Sequence, residues 1–280
     1  MQNKYLVLTL TLLLSVSSVL AQAVIGGIDL AKNPNLIFTA PKSADPKNEV
    51  LISRAEYVIS YNRKFREMNW ASWIVSSDTI GHSGRSGKFS TDNELENYLA
   101  QFSEHVVGPN DYKGSCFDRG HQVPSGDRTS SEAVNKRVFF MSNMIPQTAH
   151  LNKGAWEGLE SYIRERVTAE NKKAYVISGP IFDQDFGNIG PNRDIKVPSK
   201  NFKIVVFLNP NESPSSITEK SDVIAVIMPN DLSSGRAPNE DKKELCDELA
   251  RGPAEIADWE KYKTTIKEVQ KISGLKFFSL

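Results

Sequence analysis

Between positions 116 and 164 the chain gathers groups whose types and spacing can do chemistry. They are Asp118-Arg119-Gly120-His121, then Ser142-Asn143-Met144-Ile145-Pro146-Gln147, then Asn152-Lys153-Gly154-Ala155-Trp156-Glu157-Gly158-Leu159-Glu160, and Arg164. An imidazole with an ordinary pKa of about 6.5 is neutral in mildly alkaline solution and can take a proton from water. Four histidines are present, His82, His105, His121 and His150. A lone histidine is more often a satisfied structural residue, but only His121 sits in a charged, turn-forming block. Gly120 beside it would let a backbone approach a ligand closely.

Cutting a phosphodiester needs a nucleophile, compensation for charge on the phosphoryl oxygens and a stabilised leaving alkoxide. His121 can supply the first by activating water. A hard divalent cation can supply the other two. Magnesium keeps most of its water, so the amide oxygen of Asn152 suffices as a ligand if Glu160 or Asp118 orients the remaining waters. Arg85, Arg119 and Arg164 suit two-pronged contact with phosphate. Zinc is disfavoured, because no paired Cys/His spacing completes four ligands.

These groups must be positioned by regular elements. Asn152, Trp156, Glu160 and Arg164 are spaced four apart, and four residues turn a helix by roughly 400°, so the spacing predicts one shared helix face. Leu159, Ile163 and Val167 form a neighbouring apolar stripe that can dock the helix on a sheet. The bland alternative makes Asn152 an ordinary N-cap and Glu160 with Arg164 a surface ion pair. Arg85 lies in a glycine-rich loop, 81–92, that contains neither a Gly-x-Ser-x-Gly elbow nor a Walker A sequence.

Strand signals flank this region. Apolar, β-branched and aromatic runs at 49–61, 69–75, 174–178, 202–208 and 223–228 are bounded by turn-forming residues. Trp259, Tyr262, Ile266, Val269 and Ile272 follow helical spacing up to Gly274, and the charged segment 232–252 is expected to hold a short helix around Cys246. Strands clustered before and after helices predict an α+β domain with a largely antiparallel sheet.

At the N-terminus, Lys4 precedes an apolar run that ends in Ala21-Gln22-Ala23, so residues 1–23 are expected to be a signal peptide. The run is short for a membrane anchor. Residues 24–48, rich in Pro, Asn and Lys, are expected to be a poorly structured leader, and 49–280 a single domain. The charges balance, 34 basic against 34 acidic, so any polyanion must be gripped by local clusters and not by a global field. Cys116 and Cys246 allow one bridge in an oxidising compartment, or two buried thiols.

The three separated blocks, in this order and with these gaps, closely resemble the DNA/RNA non-specific endonuclease family, which includes secreted bacterial nucleases and mitochondrial endonuclease G. A looser likeness runs from about 57 to 275, through Arg85 with Phe89 and Asp92, Ser178-Gly179-Pro180, and Val197-Pro198-Ser199. The resemblance implies a ββα-metal fold on a central, mainly antiparallel sheet. It also implies cleavage of DNA and RNA to 5′-phosphorylated products. Carried across, it makes His121 the general base and Asn152 the ligand of Mg2+ or Mn2+. Glu160 becomes the carboxylate holding metal-bound water. Arg85, Arg119 and Arg164 become contacts to phosphate or the transition state, with Asp118 and Asn143 supporting the site. Segment 232–252 looks longer than its family counterpart.

A secreted or periplasmic nuclease acting on DNA and RNA is the expectation, with no membrane attachment after the signal is cut. The competing readings are a nucleic-acid-binding module without catalysis and a phosphodiesterase acting on small substrates. Neither the residues nor the resemblance chooses between the two metals or names an inhibitor protein.

Overall fold

The computed structural model describes residues 22–277 apart from 37–39, 42–44, 213, 215–216, 219–220 and 252–257. Of the expected signal segment, all but Gln22 and Ala23 lies outside the described residues.

Seven strands form the central sheet: β1 (Ala23–Ile25), β2 (Glu49–Ser53), β3 (Val58–Asn62), β4 (Glu67–Val75), β7 (Lys173–Ile181), β10 (Lys200–Leu208) and β11 (Asp222–Pro229). They lie side by side in the order β1-β2-β3-β4-β7-β10-β11. Two small ribbons accompany it, β5 (Asp118–His121) with β6 (Met144–Gln147) and β8 (Asn188–Ile189) with β9 (Ile195–Lys196). Every pairing in the sheet is antiparallel except β1 with β2. The helices are α1 (Asn93–Leu99), α2 (Glu132–Arg137), α3 (Ala149–Leu151), α4 (Glu157–Ala169), α5 (Lys242–Arg251) and α6 (Ile266–Ser273). The architecture is α+β, as strand signals clustered before and after the helices predict.

The pleat sends alternate side chains to opposite faces, so each strand feeds two cores. Ile59, Ala71, Trp73, Val176 and Val205 pack against Trp156 and against Leu159, Ile163 and Val167, the predicted stripe of α4. Val58, Trp70, Ile177, Phe202 and Ile204 pack on the other side with Val269 of α6. That helix stops at Gly274, whose φ of 71° is the left-handed conformation glycine adopts without a Cβ clash. A third cluster, with Phe117, Met141, Met144, Phe186 and Leu245, lies beside the β5–β6 ribbon. Cys116 and Cys246 are bridged there, with Cα atoms 4.9 Å apart. Closing a loop of 130 residues is worth about 4–5 kcal/mol in the chain-entropy account.

Two expectations are corrected. The 24–48 segment is not loosely attached where it is described. β1 pairs with β2, and Asn33 and Asn35 are 3% and 4% exposed. The Asn33 amide donates to Ser53 Oγ and the Arg54 carbonyl, and Asn35 Oδ1 accepts from Ile74 N. Buried side-chain amides tie the segment down together with Ile25, Leu30 and Leu36, which pack against the two cores, and no strand or helix period in this Pro- and Asn-rich stretch reveals it. The second correction concerns the central helix. Thr148, not Asn152, is the N-cap, accepting from Leu151 N at 3.2 Å. Between Asn152 and Trp156 the backbone makes a wide π turn in which Gly154 has φ −110° and ψ −114°. Four-residue helical arithmetic therefore holds for Glu160 and Arg164 on α4 but not across Gly154.

Candidate active site

β5 and β6 form the ribbon that carries the motif, with Asp118 opposite Gln147 and His121 opposite Met144. Gly120 is needed for a close approach, but not to a ligand: a Cβ there would lie 2.0 Å from Gln147 Oε1. The turn after His121 is braced by Asn143, which is fully buried. Its amide donates to the carbonyls of Val123 and Val138, while its Oδ1 accepts from Val123 N at 2.9 Å. Asn143 thus fixes the backbone that aims His121 and does not itself line the cleft. Gln122 hangs the ribbon on the sheet through Ser178 Oγ.

His121 is wedged between two rings, Phe139 at 4.8 Å edge-on and Phe89 at 5.6 Å. The same rings hold the two arginines, Arg119 over Phe89 at 4.1 Å and Arg85 over Phe139 at 5.0 Å. Trp156 Nε1 donates to the His121 carbonyl at 3.2 Å. The imidazole is partly exposed as a whole, but its Nε2 is buried without a hydrogen-bond partner. Burial first, then the charges of Arg85 and Arg119, push its pKa down to about 3, so the ring is neutral at any working pH.

In the same cleft, Asn152 Nδ2 donates to Asp118 Oδ2 at 3.0 Å, and Lys153 Nζ lies 3.5 Å from that oxygen. Spending the amide nitrogen on Asp118 leaves Oδ1 as the atom Asn152 can offer a cation. Arg85, Asp118, Arg119, His121, Asn152, Glu160 and Arg164 all line this one cleft of about 370 Å³. Among the described residues no group of three His, Cys, Asp or Glu is arranged to hold a metal. One amide oxygen beside fixed carboxylates suits a hard cation that keeps most of its water. A larger cleft of about 520 Å³, floored by Phe117 and Phe186, shares none of these residues.

Glu160 and Arg164 do not pair with each other as a surface ion pair would. Arg164 Nη1 reaches Asp127 Oδ1 at 3.2 Å, and Asp127 Oδ2 accepts from Trp73 Nε1 at 2.9 Å. Glu160 faces Lys203 of β10, whose Nζ is 3.4 Å from Oε1. Burial raises the Glu160 pKa to about 7 against the pull of Lys203 and Arg164, and burial lowers that of Lys203. Lys203, Asp127 and Phe139 escape a linear reading. The available signal is Lys203 itself, a lone charge in the apolar run Phe202-Lys203-Ile204-Val205-Val206.

A family model for DNA/RNA non-specific endonucleases matches residues 35–280. A nuclease of Nostoc sp. is 32% identical over 242 residues, covering 85% of this chain and 76% of its own. A nuclease of Serratia marcescens is 29% identical over 198 residues, with 62% and 70% covered. Mitochondrial endonuclease G of Bos taurus is 32% identical over 169 residues, with 56% and 54% covered. Among solved structures, the complex of EndoG with EndoGI superposes with a TM-score of 0.60 at 21% identity, over 81% of this chain and 84% of that one, and so shares the fold. With the match spanning the sheet from β2 onward, the ribbon and the cleft, the chain belongs to the DNA/RNA non-specific endonuclease family.

Proposed function

We propose that this protein is an exported, Mg2+- or Mn2+-dependent endonuclease that hydrolyses DNA and RNA to 5′-phosphorylated products, with His121 as general base and Asn152 holding the metal. The observation that carries the reading is that a neutral imidazole and an amide oxygen line one cleft together with three guanidinium groups. When bound, the cation would compensate charge on the phosphoryl oxygens and on the leaving alkoxide.

The chain's own residues do the rest. Arg85 and Arg119 grip the phosphate, held in place by Phe139 and Phe89. A phosphate seated on them offsets the two charges that depress His121, so the imidazole becomes a better base once substrate is bound. It then takes a proton from the attacking water. Asp118 keeps the Asn152 amide turned outward, and Glu160 accepts hydrogen bonds from water in the cleft. Because His121 is already neutral in the free enzyme, the acid limb of kcat/KM belongs to Glu160, which ionises as pH rises through about 7.

Export rests on the apolar run within 1–23; the mature N-terminus should follow Ala23 when the secreted protein is sequenced. The enzymatic reading is tested with supercoiled plasmid and with RNA, each with Mg2+ and with Mg2+ plus chelator. Nicking and RNA breakdown that chelation abolishes are expected. Intact substrates in the presence of metal would refute the reading.

A further inference from the structure

Lys203 is the one charged side chain of β10 that points into the core under the cleft, and it is fully buried. β10 runs between β7 and β11, with Lys203 opposite Ser178 and Val226. Its ammonium lies 3.9 Å from the centre of the Trp156 ring and 3.4 Å from Glu160 Oε1. Trp156 in turn is bonded to the His121 carbonyl. A single buried cation thus touches the two pieces that meet at the cleft, the helix bearing Glu160 and the indole that steadies the strand end bearing His121.

The contact to Glu160 is longer than the 2.7–2.9 Å or so of a tight charge-assisted hydrogen bond. It supplies charge without occupying the carboxylate, which stays 12% exposed at the cleft wall. Charged neighbours facing Glu160 are Lys203 from β10, Arg164 from its own helix, and Asp127 from the turn after β5. Arg164 is engaged by Asp127, which leaves Lys203 as the uncommitted positive charge among these three.

Resting on the nuclease reading above, we propose that Lys203 is a positioning residue for the reaction: it keeps Glu160 ionised and facing the cleft, and its ammonium seats the Trp156 ring that steadies His121. A lysine that merely filled space could be replaced by an apolar chain of equal length without moving the pH profile.

The test is Lys203→Met, assayed for DNA cleavage between pH 5 and pH 9, with near-UV circular dichroism to check the fold. The acid limb of kcat/KM should move up by about one pH unit or more, lowering kcat/KM about tenfold at neutral pH while KM for DNA changes little. A folded variant with an unmoved limb would overturn the proposal. A second measurement does not depend on that variant folding or on activity. Coupling is reciprocal, so Glu160→Gln should make the Lys203 ammonium, followed by 15N NMR of Nζ, lose its proton at a pH at least about one unit lower than in the wild type. Identical titration in the two proteins would also overturn it. An inactive wild-type protein would sink the nuclease reading instead, and the NMR comparison would still decide the pairing.

Discussion

Two buried ion pairs in this molecule are built on opposite plans. Arg54 meets Asp92 in a two-pronged contact of 2.9 and 2.6 Å, with both residues almost fully buried. Tyr57 OH, Glu94 and Ser142 Oγ complete the network, and Asp92 also caps α1. Burial works against the Arg54 charge, but Tyr57, Asp92 and Glu94 outweigh it and hold its pKa above the ordinary value. Lys203 and Glu160 have one contact of 3.4 Å, and burial pushes both toward neutrality. The difference teaches what each pair is for. A pair that fixes geometry saturates its lone pairs and donors. A pair that serves a reaction keeps a carboxylate oxygen free and its protonation close to the working pH.

The comparison can be broken where each pair touches function or stability. The largest expected effect lies at the site itself: His121→Ala should lower kcat by roughly 100- to 10,000-fold with little change in KM, measured by steady-state cleavage of plasmid DNA. Next is Asp92→Ala, which leaves Arg54 charged and buried. It should cost about 3–5 kcal/mol in urea unfolding while the folded fraction keeps wild-type kcat. Loss of activity out of proportion to loss of fold would mean the Arg54 network is more than scaffold. Asp118→Ala should loosen the Asn152 amide and raise the Mg2+ concentration for half-maximal activity by roughly 10- to 100-fold, read from a metal titration.

Smallest is a pH effect on stability. The folded-state pKa of His121 is depressed to about 3, so its contribution is fully present above the ordinary value near 6.5 and is lost as pH falls toward 3. His121→Ala should therefore lose less stability than the wild type between pH 6.5 and pH 5.5, by about 1 kcal/mol in scanning calorimetry. Equal losses would show that the imidazole is not buried as described.

How much of this was legible in the sequence depends on how local each feature is. Asp118, Arg119 and His121 lie on one short strand, and Asn152, Glu160 and Arg164 on one helical stretch, so residue type and spacing bring them together before any fold is known. The strands at 49–61 and 202–208 are equally plain, because their apolar runs are bounded by turn residues. Lys203 is not, since only the packing of β10 beneath α4 turns a lone charge in a strand into the partner of Glu160. Phe139 comes to His121 from the end of α2, through a loop no periodicity predicts. Gly154 misleads in the other direction. Its spacing fits a regular helix, yet the backbone there leaves helical geometry, and Asn152 is set by Asp118 and not by a shared helix face.

The central claim is that His121 and Asn152 act on one phosphorus atom. Its most direct measurement is a crystal structure of His121→Ala with Mg2+ and a short DNA duplex trapped uncut. The ion should sit about 2.1 Å from Asn152 Oδ1, with a scissile phosphate oxygen completing its shell on the side where the imidazole stood. An ion bound elsewhere, or a phosphate reached from Asn152 but turned away from position 121, would contradict the account.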